Sequence, residues 1–449
     1  MKTWFFVFFF CFSIYTFGIK STNVPVYVML PLDTVNNDGT LNNPTQLATW
    51  FQKLKSGNVE GVMTDVWWGI VEKEEKQYNW SAYQQLLTLV KNAGLKLQCV
   101  MSFHQCGINV GDQCYILLPP WVLSVGQSNP DIFYTDMHGH RDQEYLSLSI
   151  DNRAVLNGRT AINVYQDFMT SFKNTFGSDL GSSIVEVQVG LGPSGEMRYP
   201  SYQLQDNLWQ FPGIGEFQCY DKYMLSDLQN YANENGHSDW GHAGPNNAGT
   251  YNSLPSQTGF FSDNGGDNWS SAYGDFFLTW YTNVLINHGD QILGIAKNIF
   301  GSYNMRIAAK ISGVHWWYMT DSHAAELTAG YYDTINHDGY NDIASMFKKH
   351  GVVFDFTCLE MSDSSQPSYA KCGPQELVQL TLHDSLNHGV PYSGENALTC
   401  YDNDSYGRIE SVAREGITAF TYLRLSSDLV DNQSNWGNFV NFVNAMHNL

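Results

Sequence analysis

Positive charge is scarce in this chain. Only 23 Lys and Arg stand against 44 Asp and Glu, for a formal net charge of −21 over 449 residues. With no basic patch to neutralise phosphates, nucleic acid and anionic membrane surfaces are poor partners. The acidity is spread along the sequence without an acidic tail, which reads as solubility. After the N-terminus no apolar run is long enough to cross a bilayer. A Pro/Ser-rich linker, a low-complexity tract and a fixed-period repeat are all missing. So are a Gly-x-Ser-x-Gly nucleophile elbow, a His-Glu-x-x-His zinc motif and a glycine-rich phosphate turn after the first strand-like run. Phosphoryl transfer and nicotinamide chemistry therefore have no supporting motif. Cysteine is sparse, with 8 in the whole chain.

What is present begins with the first residues. Met1-Lys2 is followed by an apolar run, Trp4 to Phe17, and small residues appear near Gly18 and Ser21. This predicts a secretory signal over 1–21, cleaved between Gly18 and Asn23, and a secreted or endomembrane-lumenal location. Acceptor triplets at Asn79, Asn268, Asn403 and Asn432 fit a glycoprotein. Removing Cys11 leaves an odd number of cysteines, hence at least one free thiol. Cys106 and Cys114 are the candidate disulfide, closing a short loop; a metal pair with His104 is the weaker alternative, because the fourth ligand is missing.

The mature chain alternates short β-branched or apolar runs with helical stretches. The runs are Val24 to Leu30, Val59 to Val66, Lys96 to Phe103, Ile184 to Val189, Arg306 to Ile311, Val352 to Leu359, Val390 to Ser393 and Ile417 to Leu423. Between them, Tyr83 to Gly94 has helical periodicity and a glycine stop. This predicts a single α/β domain over 22–449, a (β/α)8 TIM-type barrel. The long stretches 104–183 and 190–305 become loops at the C-terminal face of the strands. An open doubly wound sheet is the alternative fold.

In a barrel, the polar residue after each strand faces one cavity. Those residues are Asp33, Asp65, His104, Glu196, Lys310 with His315, Thr357 with Glu360, Glu395, and Arg424. Glu196 lies in an irregular turn, Gly192-Pro-Ser-Gly-Glu-Met-Arg-Tyr-Pro200; the bland reading is a surface loop in which it merely pairs with Arg198. Glu395 lies in a second such turn. Two carboxylates, several hydrogen-bonding groups and the pairs Trp67-Trp68 and Trp316-Trp317 suit a sugar, with one carboxyl as acid and the other as base. Each Trp pair also fits ordinary packing.

At this point the chain resembles the β-amylases, over nearly all of its length from Val24. The resemblance rests on Gly61-Val-Met-Thr-Asp-Val-Trp-Trp-Gly69, Phe103-His-Gln-Cys-Gly-Ile-Asn-Val-Gly-Asp112 and the Glu196 turn. Ala309-Lys-Ile-Ser-Gly-Val-His-Trp-Trp317, Phe356-Thr-Cys-Leu-Glu-Met361 and Ser393-Gly-Glu-Asn-Ala-Leu398 complete it. It implies exo-acting hydrolysis of α-1,4 bonds in starch, glycogen-like glucans and maltooligosaccharides, releasing β-maltose with inversion. A non-catalytic glucan-binding relative is the alternative. Glu196 is the implied general acid and Glu395 the general base, with carboxyls roughly 6.5–9.5 Å apart to admit a water. Asp65, His104, Asp112, Lys310, His315, Thr357, Asn396, Ala397 and Arg424 match substrate-contacting positions. Asp112 falls in a lid loop and Thr357 in a mobile inner loop. Ile108 departs from the pattern, standing where the family usually has a second lid glycine. No cofactor or metal is implied, although some bacterial relatives hold a structural calcium near the position of Glu72. No starch-binding module is expected.

Overall fold

In a computed structural model describing residues 23–262 and 266–449, each of the eight predicted runs is a strand. In chain order the strands are β1 (Val26–Met29), β2 (Gly61–Trp67), β3 (Lys96–Ser102), β4 (Phe133–Thr135) and β5 (Arg141–Leu146). They continue with β6 (Ile184–Val189), β7 (Arg306–Ile311), β8 (Val353–Phe356), β9 (Tyr392–Glu395) and β10 (Ile417–Leu423). Eight of them close a barrel in the order β1-β10-β9-β8-β7-β6-β3-β2, every pair parallel. β4 and β5 form a separate antiparallel hairpin inside the first long insertion. The region of the expected signal, with Cys11, lies outside the described residues. No helix among the described residues is long and apolar enough to cross a membrane.

Parallel strands covered by helices are buried on both sides, which is why they read as apolar runs. The helix predicted near Tyr83 runs over Ser81–Asn92 and buries Tyr83, Leu86, Leu87 and Val90. Gly94 follows it at a φ of 70°, a left-handed stop that suits glycine. The main apolar core includes residues of both strands and helices, while Met29, Met63 and Val100 of β1, β2 and β3 form a small separate cluster with Leu423 packed against it.

The barrel interior is otherwise polar. Gln98 donates to Glu186 at 3.1 Å, Thr421 donates to Gln98 at 3.2 Å, and Gln188 donates to Asp355 at 2.7 Å. Arg306 pairs with Glu186 at 2.8 Å. Each such group costs about 1–3 kcal/mol if buried without a partner, so the interior persists because it is cross-linked strand to strand.

The insertion 190–305 ends in a 29-residue helix, Ala272–Phe300, capped by Ser271. The Tyr199 ring stacks on Tyr281 of that helix at 3.9 Å, and its hydroxyl donates to the Tyr281 carbonyl at 2.9 Å. A second tie runs from the Tyr199 amide to the Ala329 carbonyl at 2.9 Å. The turn carrying Glu196 is thereby fastened to the helical layer, and its core is buried.

Candidate active site

The Glu196 turn is shaped by backbone needs. A Cβ on Gly192 would lie 2.5 Å from the Glu196 carbonyl oxygen, so the chain can double back only with glycine there. Ser194 and Gly195 both have left-handed φ, at 55° and 75°. The Ser194 amide donates to Glu144 at 2.9 Å, and the Met197 amide donates to the Lys310 carbonyl at 2.9 Å. Glu196 therefore stands as an extension of β6 beside β7. Its Oε2 accepts from Arg198 Nε at 2.7 Å. The pairing that a surface loop would offer is real, but Arg198 is 1% exposed and the loop is interior.

Glu395 ends β9 and is fully buried. The Lys310 ammonium of β7 lies 2.7 Å from its Oε2, while Oε1 has no hydrogen-bond partner among the described residues. Burial first, and then the neighbouring Asp355, push the Glu395 carboxyl above the usual range, against the pull of Lys310. Burial works against the Lys310 ammonium, but Glu395, Asp355 and Glu196 more than offset this and raise its pKa. Lys310 thus remains a cation placed between the two carboxyl groups.

Asp65 and His104 lie in the same electrostatic neighbourhood. Asp65 Oδ1 accepts from Ser102 at 2.8 Å, its Oδ2 has no partner among the described residues, and it feels the charges of Arg424, Lys310 and Glu395. His104 packs edge-on to Trp67 with centroids 5.1 Å apart, and its Nδ1 is also unpartnered among the described residues. Burial, then the charges of Lys310 and Arg198, depress its pKa to about 3. It is a neutral imidazole, suited to hydrogen-bonding a hydroxyl rather than to moving a proton. Unpartnered buried polar atoms are rare in folded proteins, and here three residues with such atoms share one electrostatic neighbourhood.

The other expected residues sort less uniformly. Arg424 donates to the Leu30 carbonyl at 3.1 Å and projects its charge onto Asp65 and Asp112. Asp112 turns its Oδ2 onto its own loop, accepting from Gly107, Ile108 and Asn109 at 2.6, 3.1 and 3.0 Å. Thr357, after β8, accepts from the Gly313 amide at 2.8 Å, and His315 Nδ1 is 2.9 Å from the Gly313 carbonyl, so both are held to Gly313 of the loop after β7. Ala397 sits on an exposed turn held by Glu360 through the Ala397 and Leu398 amides. Asn396 is directed to backbone, closing β9 onto β10 through both the amide and the carbonyl of Leu423 at 2.8 and 2.7 Å.

Sequence reasoning missed Asp355, Glu186, Glu144 and Asn109. Asp355 and Glu186 were visible as acids inside apolar runs, where strand alternation turns them inward. Trp67, Trp68, Trp316 and Trp317 are as buried as the site residues, at most 6% exposed. Glu72 does not fit calcium. One of its oxygens accepts from the Trp68 indole and the other from the Lys76 amide, both at 2.8 Å, and Arg159 lies 3.9 Å away, so its charge is already engaged by donors where an ion would stand.

The sequence matches glycosyl hydrolase family 14 over residues 27–449. The chain belongs to that family, the β-amylases. Among the family's curated members, chloroplastic β-amylase 1 of Arabidopsis thaliana is 50% identical over 94% of this chain and 75% of its own length. Chloroplastic β-amylase 2 of Oryza sativa subsp. japonica is 48% identical over 95% of this chain and 78% of its own. The family's (β/α)8 barrel is matched by the catalytic domain of a β-amylase from Paenibacillus polymyxa. It has a TM-score of 0.78 and 33% identity, over 94% of this chain and 98% of that one. Like other family 14 β-amylases, the chain is an exo-acting glycoside hydrolase of starch that needs no cofactor.

Membership in the family also corrects three expectations. Four β-amylases at 48–50% identity carry a chloroplastic name, which overturns the secreted, lumenal location. The glycoprotein reading loses its basis with it, and Asn268 is buried besides, at 5% exposure. The expected disulfide is not formed: Cys106 and Cys114 meet as thiols with sulfurs 2.8 Å apart, and all seven described cysteines are free.

Proposed function

We propose that Glu196 and Glu395 act as general acid and general base in an inverting hydrolysis. It cuts α-1,4-linked glucans from the non-reducing end, in starch, glycogen-like glucans and maltooligosaccharides, and releases β-maltose. The observation that carries this is the Lys310 bridge. One lysine of β7 joins its backbone to the Glu196 strand and its ammonium to Glu395. The acid and the base thereby address one chamber from different strands.

Glu196 gives its proton to the glycosidic oxygen as the bond to C1 breaks. A water attacks C1 from the opposite face, and Glu395 Oε1 takes the proton that the water loses. Lys310 steadies the Glu395 carboxylate, and Asp65 and neutral His104 offer their unpartnered atoms to sugar hydroxyls. Asp112, His315, Thr357, Asn396, Ala397 and Arg424 belong to the loops that line and close the mouth. Closure of the loop that carries Asp112 would favour exo action, since a covered site accepts a chain end.

Anomer-resolved NMR of fresh maltopentaose digests tests the reading. The expected first product is β-maltose, lost in Glu196→Gln and in Glu395→Gln. Initial α-maltose, or a spread of oligosaccharides, would overturn it. No release by the purified wild type from soluble starch would favour the glucan-binding alternative.

A further inference from the structure

The short helix Ala324–Ala329 opens on His323 and is followed, past Gly330, by Asp333. Three side chains of this stretch converge. His323, Glu326 and Asp333 are 8%, 0% and 2% exposed, and one ligand atom of each lies within 4.8 Å of those of the other two. His323 Nδ1 stands 2.9 Å from Asp333 Oδ2 and 3.1 Å from Glu326 Oε2. A ring nitrogen carries one hydrogen, and two carboxylate oxygens compete for it. Given to Asp333, it leaves Glu326 Oε2 buried and without a hydrogen-bond partner among the described residues.

The other oxygen of each carboxylate is already taken. Tyr340 Oη donates to Glu326 Oε1 at 2.7 Å, and the Gly339 amide donates to Asp333 Oδ1 at 3.2 Å, both from the helix Gly339–His350. Asp384, on the helix Pro374–His388, feels the charges of Asp338 and Asp333; it is 7% exposed, and its Oδ2 also has no partner among the described residues. No lysine or arginine is paired with Glu326, Asp333 or Asp384 among the described residues, and His323 is the cation that serves the first two. Buried carboxylates in excess of their donors call for a cation.

We propose that His323, Glu326 and Asp333 form a binding site for one zinc ion, with a water in the fourth position, that staples the segment 323–333. Ligands held at about 2.0–2.1 Å from a tetrahedral zinc stand about 3.3 Å apart. Separations of 2.9 and 3.1 Å therefore need only a small opening. An imidazole with two carboxylates suits zinc better than calcium or magnesium, which take oxygen ligands. The entering ion replaces the Nδ1 hydrogen, which leaves as a proton. Tyr340 and the Gly339 amide orient the two carboxylates, as outer partners do at metal centres.

The role follows from what the segment carries. The Ala329 carbonyl accepts the Tyr199 amide of the Glu196 turn at 2.9 Å, and Tyr331 Oη accepts the Ser312 amide beyond β7 at 3.0 Å. An ion joining His323 to Asp333 closes the segment on itself and steadies both supports. It takes no part in the hydrolysis.

The test uses the full chain, stripped with a chelator and dialysed against zinc alone. Bound metal is counted by elemental analysis, and thermal unfolding is followed beside it. The expected result is one zinc per chain and a midpoint raised by about 3–5 °C at a hundredfold excess over Kd. His323→Gln should abolish both. Asp333→Asn keeps an oxygen for the Gly339 amide, which guards against misfolding, and should weaken binding by at least about tenfold. Zinc held equally by the wild type and both variants lies elsewhere and overturns the site. So does the absence of uptake at micromolar zinc, or calcium taken up in preference to it. Binding at the site that leaves the midpoint unmoved overturns the staple.

Discussion

The two carboxyl groups of this site occupy opposite surroundings. Glu196 sits on an irregular turn, its side chain 12% exposed, with a guanidinium bonded to it. Glu395 sits on a barrel strand, fully buried, with Asp355 beside it and the Lys310 ammonium 2.7 Å away. Inverting hydrolysis needs one carboxyl protonated and the other ionised at the same pH. The comparison shows where each control resides. The candidate base is held by charged side chains of the barrel strands, and the candidate acid by a guanidinium two residues along its own turn.

The largest expected effect breaks the symmetry outright. Glu395→Gln and Glu196→Gln should each lose about 10²–10⁴-fold in kcat on maltopentaose, the usual worth of a positioned acid or base. On α-maltosyl fluoride, whose leaving group needs no proton, only Glu395→Gln should remain crippled, measured by fluoride release. Equal recovery of both would dissolve the distinction between the two ends. Next, Lys310→Met should cost about 10²-fold in kcat. The low-pH limb of its kcat/KM profile should move up, because removing the cation makes Glu395 harder to ionise.

Asp355→Asn should do the opposite with a smaller loss. A like charge raises a carboxyl's pKa, so its removal lets Glu395 ionise at lower pH, and the low-pH limb should move down. The high-pH limb should stay put; movement of both limbs would mean that the two ends are one coupled system. The smallest effect is expected from Tyr199→Phe, which removes the hydroxyl bond to the Tyr281 carbonyl but keeps the ring stack. Urea unfolding should register about 1 kcal/mol less stability, with both limbs unmoved.

The barrel was legible because its strands are buried on both sides and so announce themselves as apolar runs. The β4–β5 hairpin was not. Phe133–Thr135 is too short to show a period, and Arg141-Asp-Gln-Glu within β5 reads as loop. The candidate acid was legible from an irregular turn at a strand end; Glu395, expected in a second such turn, instead ends strand β9. Their modulators were hidden for a different reason. Asp355 lies between two phenylalanines, and Asn109, which accepts from Arg198, is 89 positions from it. Pairings of that kind are made by the closed fold and leave no local pattern. The Glu196–Arg198 pair was visible in sequence, but only burial distinguishes a control element from an exposed ion pair worth little.

The cross-linked barrel interior also bears on how this enzyme can change. Gln98 joins Glu186 on one side and Thr421 on the other, and Thr421 stands in register with Glu395 on the adjacent strand. Exchanging a group in that lattice alters the field at the base without touching the chamber's shape. Lineages of this fold can therefore shift the acidity at which they work while leaving their choice of sugar intact, by drift in residues that no glucan ever meets.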